Sequence, residues 1–157
     1  MSVSLPAPDY ESLAEVRYQI RRFLRFSESV AHAAGLEPHQ HQLMLALKGL
    51  PQGVRPRVRE VAERLQIQHH STVELVDRLA AGGYVNRERS APDRREVLLS
   101  LTPKGEKILK ELSLYHRAEL RTQGPILIAS LKCAIEPRRR KHGVRPKGLA
   151  QTNRRKR

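Results

Sequence analysis

Residues 57–102 read RVREVAERLQIQHHSTVELVDRLAAGGYVNRERSAPDRREVLLSLT, and this stretch decides the fold. Val58, Val61, Ala62 and Leu65 fall at i, i+3, i+4 and i+7, one stripe of a 3.6-residue period. Thr72, Leu75, Val76 and Leu79 repeat that spacing, and Gly82-Gly83 stands where a left-handed closing residue is wanted. Only Gln66, Ile67 and Gln68 separate the two patterns, with Ile67 placed to fill the groove between the helices. So short a turn forces the helices to cross steeply, which is the geometry of a helix-turn-helix. A hairpin follows. Its first arm is Tyr84–Arg89, its tip Ser90–Arg94, and its return arm Arg95–Leu101 alternates Val97, Leu99 and Leu101 as a half-buried strand does. Pro92 and Asp93 at the tip are turn formers. A helix-turn-helix with a basic hairpin attached is a winged helix.

With these residues in place the segment resembles the MarR family of bacterial regulators. The matching residues are Val61-Ala62-Glu63-Arg64-Leu65, Val76-Asp77-Arg78-Leu79, Gly83-Tyr84-Val85, the wing Asp93-Arg94-Arg95, and Leu101-Thr102-Pro103-Lys104-Gly105. The wing followed by the L-T-x-x-G element is the more specific half. A weaker resemblance extends over residues 9–136. It implies a mainly α fold with a small β-hairpin wing: a winged helix-turn-helix over about 38–102 and dimerisation helices over about 9–34 and 103–136.

The outer segments agree with that division. Residues 9–34 form one long apolar-faced helix, with Asp9 as N-cap and Gly35 as stop. A second helix starts at Pro38 and runs to about Leu50. Thr102-Pro103 opens a third, which the sequence carries to about Arg121 before Gly124-Pro125 interrupts it. A short apolar helix, Ile126–Ile135, then continues to Pro137. Ile126, Leu127, Ile128, Leu131 and Ile135 cover more than one stripe, which points to burial between elements, and helix 9–34 lacks partner surface within one subunit. A homodimer is expected.

Charge is unevenly placed. Of the net +14, residues 137–157 carry +10 with no acid, leaving only +4 on the other 136 residues. This tail and residues 1–8 are expected to lack fixed structure; the tail is either a nucleic-acid-binding arm or a solubilising extension. In the folded part the arginines gather in the winged helix, which makes double-stranded DNA the expected partner. Arg57 and Arg59 are placed to clamp backbone phosphates. His69, His70, Ser71, Thr72 and Glu74 occupy the start of the recognition helix, the part that reaches base edges. Ser71 and Glu74 equally spell an S-x-x-E capping box, and Arg78 is open to either a phosphate or an i, i+4 pair with Glu74. The resemblance implies that Arg95 enters a minor groove, oriented by Asp93 and flanked by Arg94; a solvated turn with an internal ion pair is the alternative.

No catalytic constellation, Gly-rich phosphate loop or metal-binding spacing is found, so neither an enzyme nor a cofactor is expected. The histidines His39, His41, His69 and His70 are spaced so that they spread rather than converge. Cys133 is a lone cysteine expected to be buried, consistent with a reducing, cytoplasmic setting; no apolar run has the length of a membrane span. The resemblance further implies a pocket for a phenolic effector where the first, second and fifth helices meet, bordered by Arg17, Arg21, His39, His41 and His116. The sequence thus predicts a sequence-specific transcriptional regulator, a repressor. Two competing readings are a sequence-tolerant, nucleoid-type binder driven by the tail, and a winged helix used for protein contacts.

Overall fold

The computed structural model describes residues 7–89 and 96–136. In chain order the elements are α1 (Ala7–Ala33), α2 (Pro38–Lys48), α3 (Val58–Leu65), α4 (His69–Ala81), β1 (Val85–Arg89), β2 (Val97–Leu101) and α5 (Pro103–Ile135). The expected mainly α fold with a two-stranded wing is what these elements form. No helix among the described residues is long and apolar enough to cross a membrane.

The core is aliphatic, as a chain with few aromatic residues requires. Leu43, Met44 and Leu47 of α2, Val61 of α3, and Leu75, Val76 and Leu79 of α4 close on Val85, Leu99, Leu109 and Leu112 in one cluster. Both amphipathic stripes read from the sequence supply their buried residues here. Ile67 packs against the cluster from the turn. Where that turn lacks a glycine, Gln66 itself takes the left-handed conformation, φ 55°, ψ 38°, and its amide bonds back into the last turn of α3.

The hairpin is antiparallel with Val85 opposite Leu101 and Arg89 opposite Val97. Its return strand also reaches the loop before α3, since Leu99 N donates to Pro56 O at 2.7 Å. The junction from wing to α5 explains the L-T-P-K-G element residue by residue. Thr102 Oγ1 accepts from Gly105 N at 3.0 Å, capping α5, and donates to Gly83 O at 2.7 Å. Pro103 takes the first helical position, where no amide hydrogen is missed. Lys104 Nζ donates to Gly82 O at 2.7 Å and lies 4.2 Å from the centroid of the Tyr84 ring. The end of α4 and the start of α5 are thereby tied together.

Two boundaries and the burial of one residue depart from expectation. α1 begins at Ala7, so Asp9 lies in its first turn and not at its cap, where its charge still faces the positive helix end. Gly124-Pro125 does not interrupt the last helix, which runs unbroken to Ile135. Proline removes one i→i−4 hydrogen bond and crowds the carbonyl four residues back. The turns on both sides remain bonded, and α5 packs along α1 more extensively than any other two elements pack, so the two halves stay one rod. Cys133, expected to be buried, is exposed in the single chain. The expectations for residues 1–6 and 137–157 lie outside the described residues.

Candidate nucleic-acid interface

α4 is seated by its apolar stripe, with Thr72, Leu75, Val76 and Leu79 buried. The opposite side carries His70, Glu74 and Asp77 at i, i+4 and i+7, all exposed, with His69 and Arg78 exposed on the flanks. This is the face expected of a recognition helix.

Two first-turn candidates are corrected. Thr72 is fully buried, and its hydroxyl donates to Gln68 O at 3.1 Å, so it belongs to the core and not to the DNA-facing surface. Ser71 is not the N-cap. α4 starts two residues earlier, with Gln68 in extended conformation as the cap, which puts Ser71, half-buried, inside the first turn. The capping-box reading of Ser71 and Glu74 fails for that reason. Among the described residues Arg78 makes no ion pair with Glu74, so both remain available to a ligand.

The arginines before α3 divide. Arg59 is exposed and makes no ion pair among the described residues. Arg57 is engaged: its Nε lies 2.5 Å from Glu96 Oε1 and its Nη1 3.9 Å from Glu60. Arg55 reaches the other Glu96 oxygen at 2.8 Å. Glu96 is largely buried at the foot of β2, and the two guanidiniums neutralise it there. These arginines brace the wing against the α3 approach, and Arg57, expected as a phosphate clamp, engages Glu96 through its Nε while its side chain stays 41% exposed. On the other side of the wing, Arg87 of β1 pairs with Asp77 of α4, which sets the hairpin against the recognition helix. Sequence reading missed both ties, because Glu96 and Asp77 lie 39 and 10 residues from the arginines Arg57 and Arg87 that they meet. Asp93, Arg94 and Arg95 lie outside the described residues.

The expected effector pocket is not assembled as predicted. Arg17 and Arg21 project from the side of α1 opposite its packed residues Val16, Phe23 and Val30, and His39 is exposed. Only His41 and His116 come together, and they fill the space between them. Their rings stack at 4.7 Å with 27° between planes, bordered edge-on by Phe23 and Phe26 against His116. His116 uses both nitrogens: Nδ1 lies 2.7 Å from Leu112 O, and Nε2 lies 2.8 Å from Ser27 Oγ. A carbonyl only accepts, so Nδ1 carries the proton, and in the neutral ring Nε2 accepts from the Ser27 hydroxyl. His41 is 2% exposed, and neither of its nitrogens has a hydrogen-bond partner among the described residues.

Burial, reinforced by the neighbouring His116, pushes His41 down from 6.5 to about 4. Between these values the folded chain binds fewer protons at this site than the unfolded chain does. Its stabilising effect is therefore intact above pH 6.5 and is lost as the pH falls towards 4. We expect the wild type to lose on the order of 2 kcal/mol more unfolding free energy than His41→Phe over that interval. Urea midpoints at stepped pH check this; parallel curves for the two proteins would refute it.

Comparisons with known proteins agree with the geometry. Residues 34–96 match the sequence profile of the MarR family. An uncharacterised HTH-type transcriptional regulator of Bacillus subtilis (strain 168), YfiV, is 32% identical over 74 residues, covering 47% of this chain. The chain spans 45% of the length of that relative. In fold, the chain is similar to AbsC, a MarR family transcriptional regulator from Streptomyces coelicolor, with a TM-score of 0.70 at 19% identity over 87% of this chain and 95% of the other. It is also similar to the transcriptional repressor CouR, solved bound to a 23-mer DNA duplex, with a TM-score of 0.56 at 29% identity over 71% and 84% of the two chains.

Proposed function

We propose that this chain, whose residues 34–96 match the MarR family profile, is a homodimeric repressor that reads double-stranded DNA in a sequence-specific way and releases it on binding a small molecule. The observation that carries this reading is α4: one side is entirely buried, while His69, His70, Glu74 and Arg78 stand free on the other beside an arginine-bearing wing. Such a helix supplies donors and acceptors for base edges. Arg59 and Arg89, exposed and without an ion pair among the described residues, supply phosphate contacts that fix its register. Two copies related by a twofold axis would place their recognition helices in successive major grooves, about 34 Å apart. The reading is of a regulator and not of an enzyme.

For the effector, the predicted pocket is replaced by a groove of about 410 Å³ between α1 and α5, lined by Val30, Ala33, Ala34, Ile108, Glu111, Leu112 and Tyr115. Its apolar walls and single phenol suit an aromatic ligand. A ligand acts here only by favouring the dimer whose recognition helices no longer match the groove spacing.

The test is binding to the DNA upstream of its own gene against random DNA, across a salt series, for wild type, Arg59→Ala and Arg95→Ala. Preference for its own upstream DNA by roughly 1,000-fold is expected. Arg95→Ala should weaken that binding about tenfold and reduce the preference, whereas Arg59→Ala should weaken both DNAs alike and make the salt slope shallower by about one. Equal affinity for both DNAs, with a steep salt slope and no effect of Arg95→Ala, would instead establish charge-driven, sequence-tolerant binding.

A further inference from the structure

We propose that the His41–His116 stack is a proton-operated joint between the winged helix and the α1–α5 pair: protonation parts the two rings, α2 loosens from α1 and α5, and DNA affinity falls. The DNA-binding half of this statement rests on the regulator reading above; the joint itself rests on the packing.

The position of the stack is what gives it leverage. His41 belongs to α2, in one apolar cluster with the recognition helix α4 through Leu43, Met44 and Leu47. His116 belongs to α5 and is bonded across to Ser27 of α1. The two rings are therefore one of the contacts between α2 and the two long helices, beside the aliphatic cluster that Ala31, Leu109 and Leu112 share with α2 and the Lys48–Glu106 ion pair.

The chemistry of the site is poorly served by its occupant. An ordinary buried histidine has its ring nitrogens bonded, and His116 obeys that rule on both atoms. His41 obeys it on neither. A phenylalanine would fill the same slot and stack on the same ring without leaving polar atoms orphaned. What histidine adds is the capacity to charge. Two stacked imidazoliums repel, and in the stack neither His41 nitrogen has an acceptor to stabilise the charged ring. Parted and hydrated, His41 titrates in its ordinary range and is charged below it.

The groups facing His41 leave that titration to one partner. From α5 it meets His116. From α1 the pair is bordered by Phe23, Phe26 and Ser27, none of which titrates in this range. Its own helix offers His39, which is exposed. The elements α3, α4 and β2 share with α2 a cluster built from Val61, Leu75, Val76, Leu79 and Leu99, without a titratable member. Among the described residues the charge acting on His41 is that of His116.

Two readouts on the full chain at constant ionic strength test the joint. The first is amide hydrogen exchange of α2 at pH 7.5 and 5.5, corrected for intrinsic rates. A group that prefers the parted state once charged should lower α2 protection about tenfold between these values, while His41→Phe, or His41→Leu if the larger ring disturbs packing, should hold it constant. The second is affinity for the upstream DNA over the same range, read as the ratio of wild type to His41→Phe, so that effects of acidification common to both proteins cancel. That ratio should fall at least threefold between pH 7.5 and 5.5. Exchange that is the same at both pH values, or that changes equally in His41→Phe, overturns the joint and leaves the regulator reading intact. Exchange that responds while DNA affinity does not overturns the coupling to release. Loss of α2 protection with no preferential DNA binding at any pH supports the joint and defeats the regulator reading alone.

Discussion

Replacing Gly105 by alanine is expected to lower the unfolding free energy by about 3 kcal/mol, at the upper end of what overpacking costs. In an exposed helix interior the same change would stabilise by up to about 1 kcal/mol. Here the added Cβ would stand 2.1 Å from Tyr84 O and 3.1 Å from its carbonyl carbon. That carbonyl is not free to withdraw. It accepts from Thr102 N at 3.0 Å, and the Tyr84 amide donates to Leu79 O at 2.9 Å at the end of α4. Lys104 holds the Tyr84 ring from above. The clash is with backbone on both sides, so relief requires α5 to shift away from the α4–wing junction. Gly124→Ala is the control. It lies in the same helix, its Cβ would meet nothing within 4 Å, and it should be neutral or mildly stabilising. Urea unfolding of the three proteins decides the matter. A Gly105→Ala protein as stable as Gly124→Ala would mean that α5 is not seated on Tyr84 as described.

Gly105 also illustrates how much of the molecule was legible in the sequence. Its place three residues after Thr102 reads as an incomplete capping box, and that reading is right as far as it goes, since Thr102 caps the helix alone. The reason no side chain stands there lies 21 residues away at Tyr84, where no local pattern points. The same division holds across the chain. Periodicity carries α3, α4 and the hairpin, because their apolar residues all face one core and their turn residues are local. It fails where two local signals compete. Gln68 and Ser71 both precede a helical pattern, and Ser71 is the better cap by type. Yet Gln66 in the left-handed region ends α3 and turns the chain so that the helix resumes directly after Gln68. Residue type makes Thr72 a DNA contact, although it shares the spacing of Leu75, Val76 and Leu79, and the spacing is the better guide. Residue type likewise makes Pro125 a break, and packing along α1 overrides it. Within the candidate site, the sequence names His69, His70, Glu74, Arg59 and Arg78, and all five are exposed in the structure. Glu96, which holds Arg55 and Arg57, and the His41–His116 stack were not assembled, because charge pairs and ring contacts across such separations leave no periodic trace.

The largest effect on DNA binding should come from residues that never approach DNA. Leu24→Glu combined with Ile128→Glu is expected to yield a monomer and to weaken binding to the upstream DNA by at least about 100-fold, roughly 3 kcal/mol. On α1, Leu13, Ile20 and Leu24 lie along one flank, and on α5 Ile128, Leu131 and Ile135 repeat at i, i+3 and i+7; all are exposed in the single chain. Exposed apolar side chains along two packed helices are the expected interface of the proposed dimer, with a second copy of this chain as the partner that a twofold operator requires. Because these side chains are exposed, glutamate there should change the stability of one chain by no more than about 0.5 kcal/mol. In a dimer the same carboxylates would be buried without partners, at a cost of several kcal/mol. A monomer keeps its recognition helix and wing, and hence its base preference, but gains the contacts of one half-site only. Sedimentation at micromolar concentration separates the two consequences. Dimeric wild type, monomeric double mutant and the loss in affinity together support the twofold reading. A double mutant that stays dimeric would move the interface elsewhere. A wild type that is already monomeric, yet binds the upstream DNA with the same preference, would refute the twofold reading.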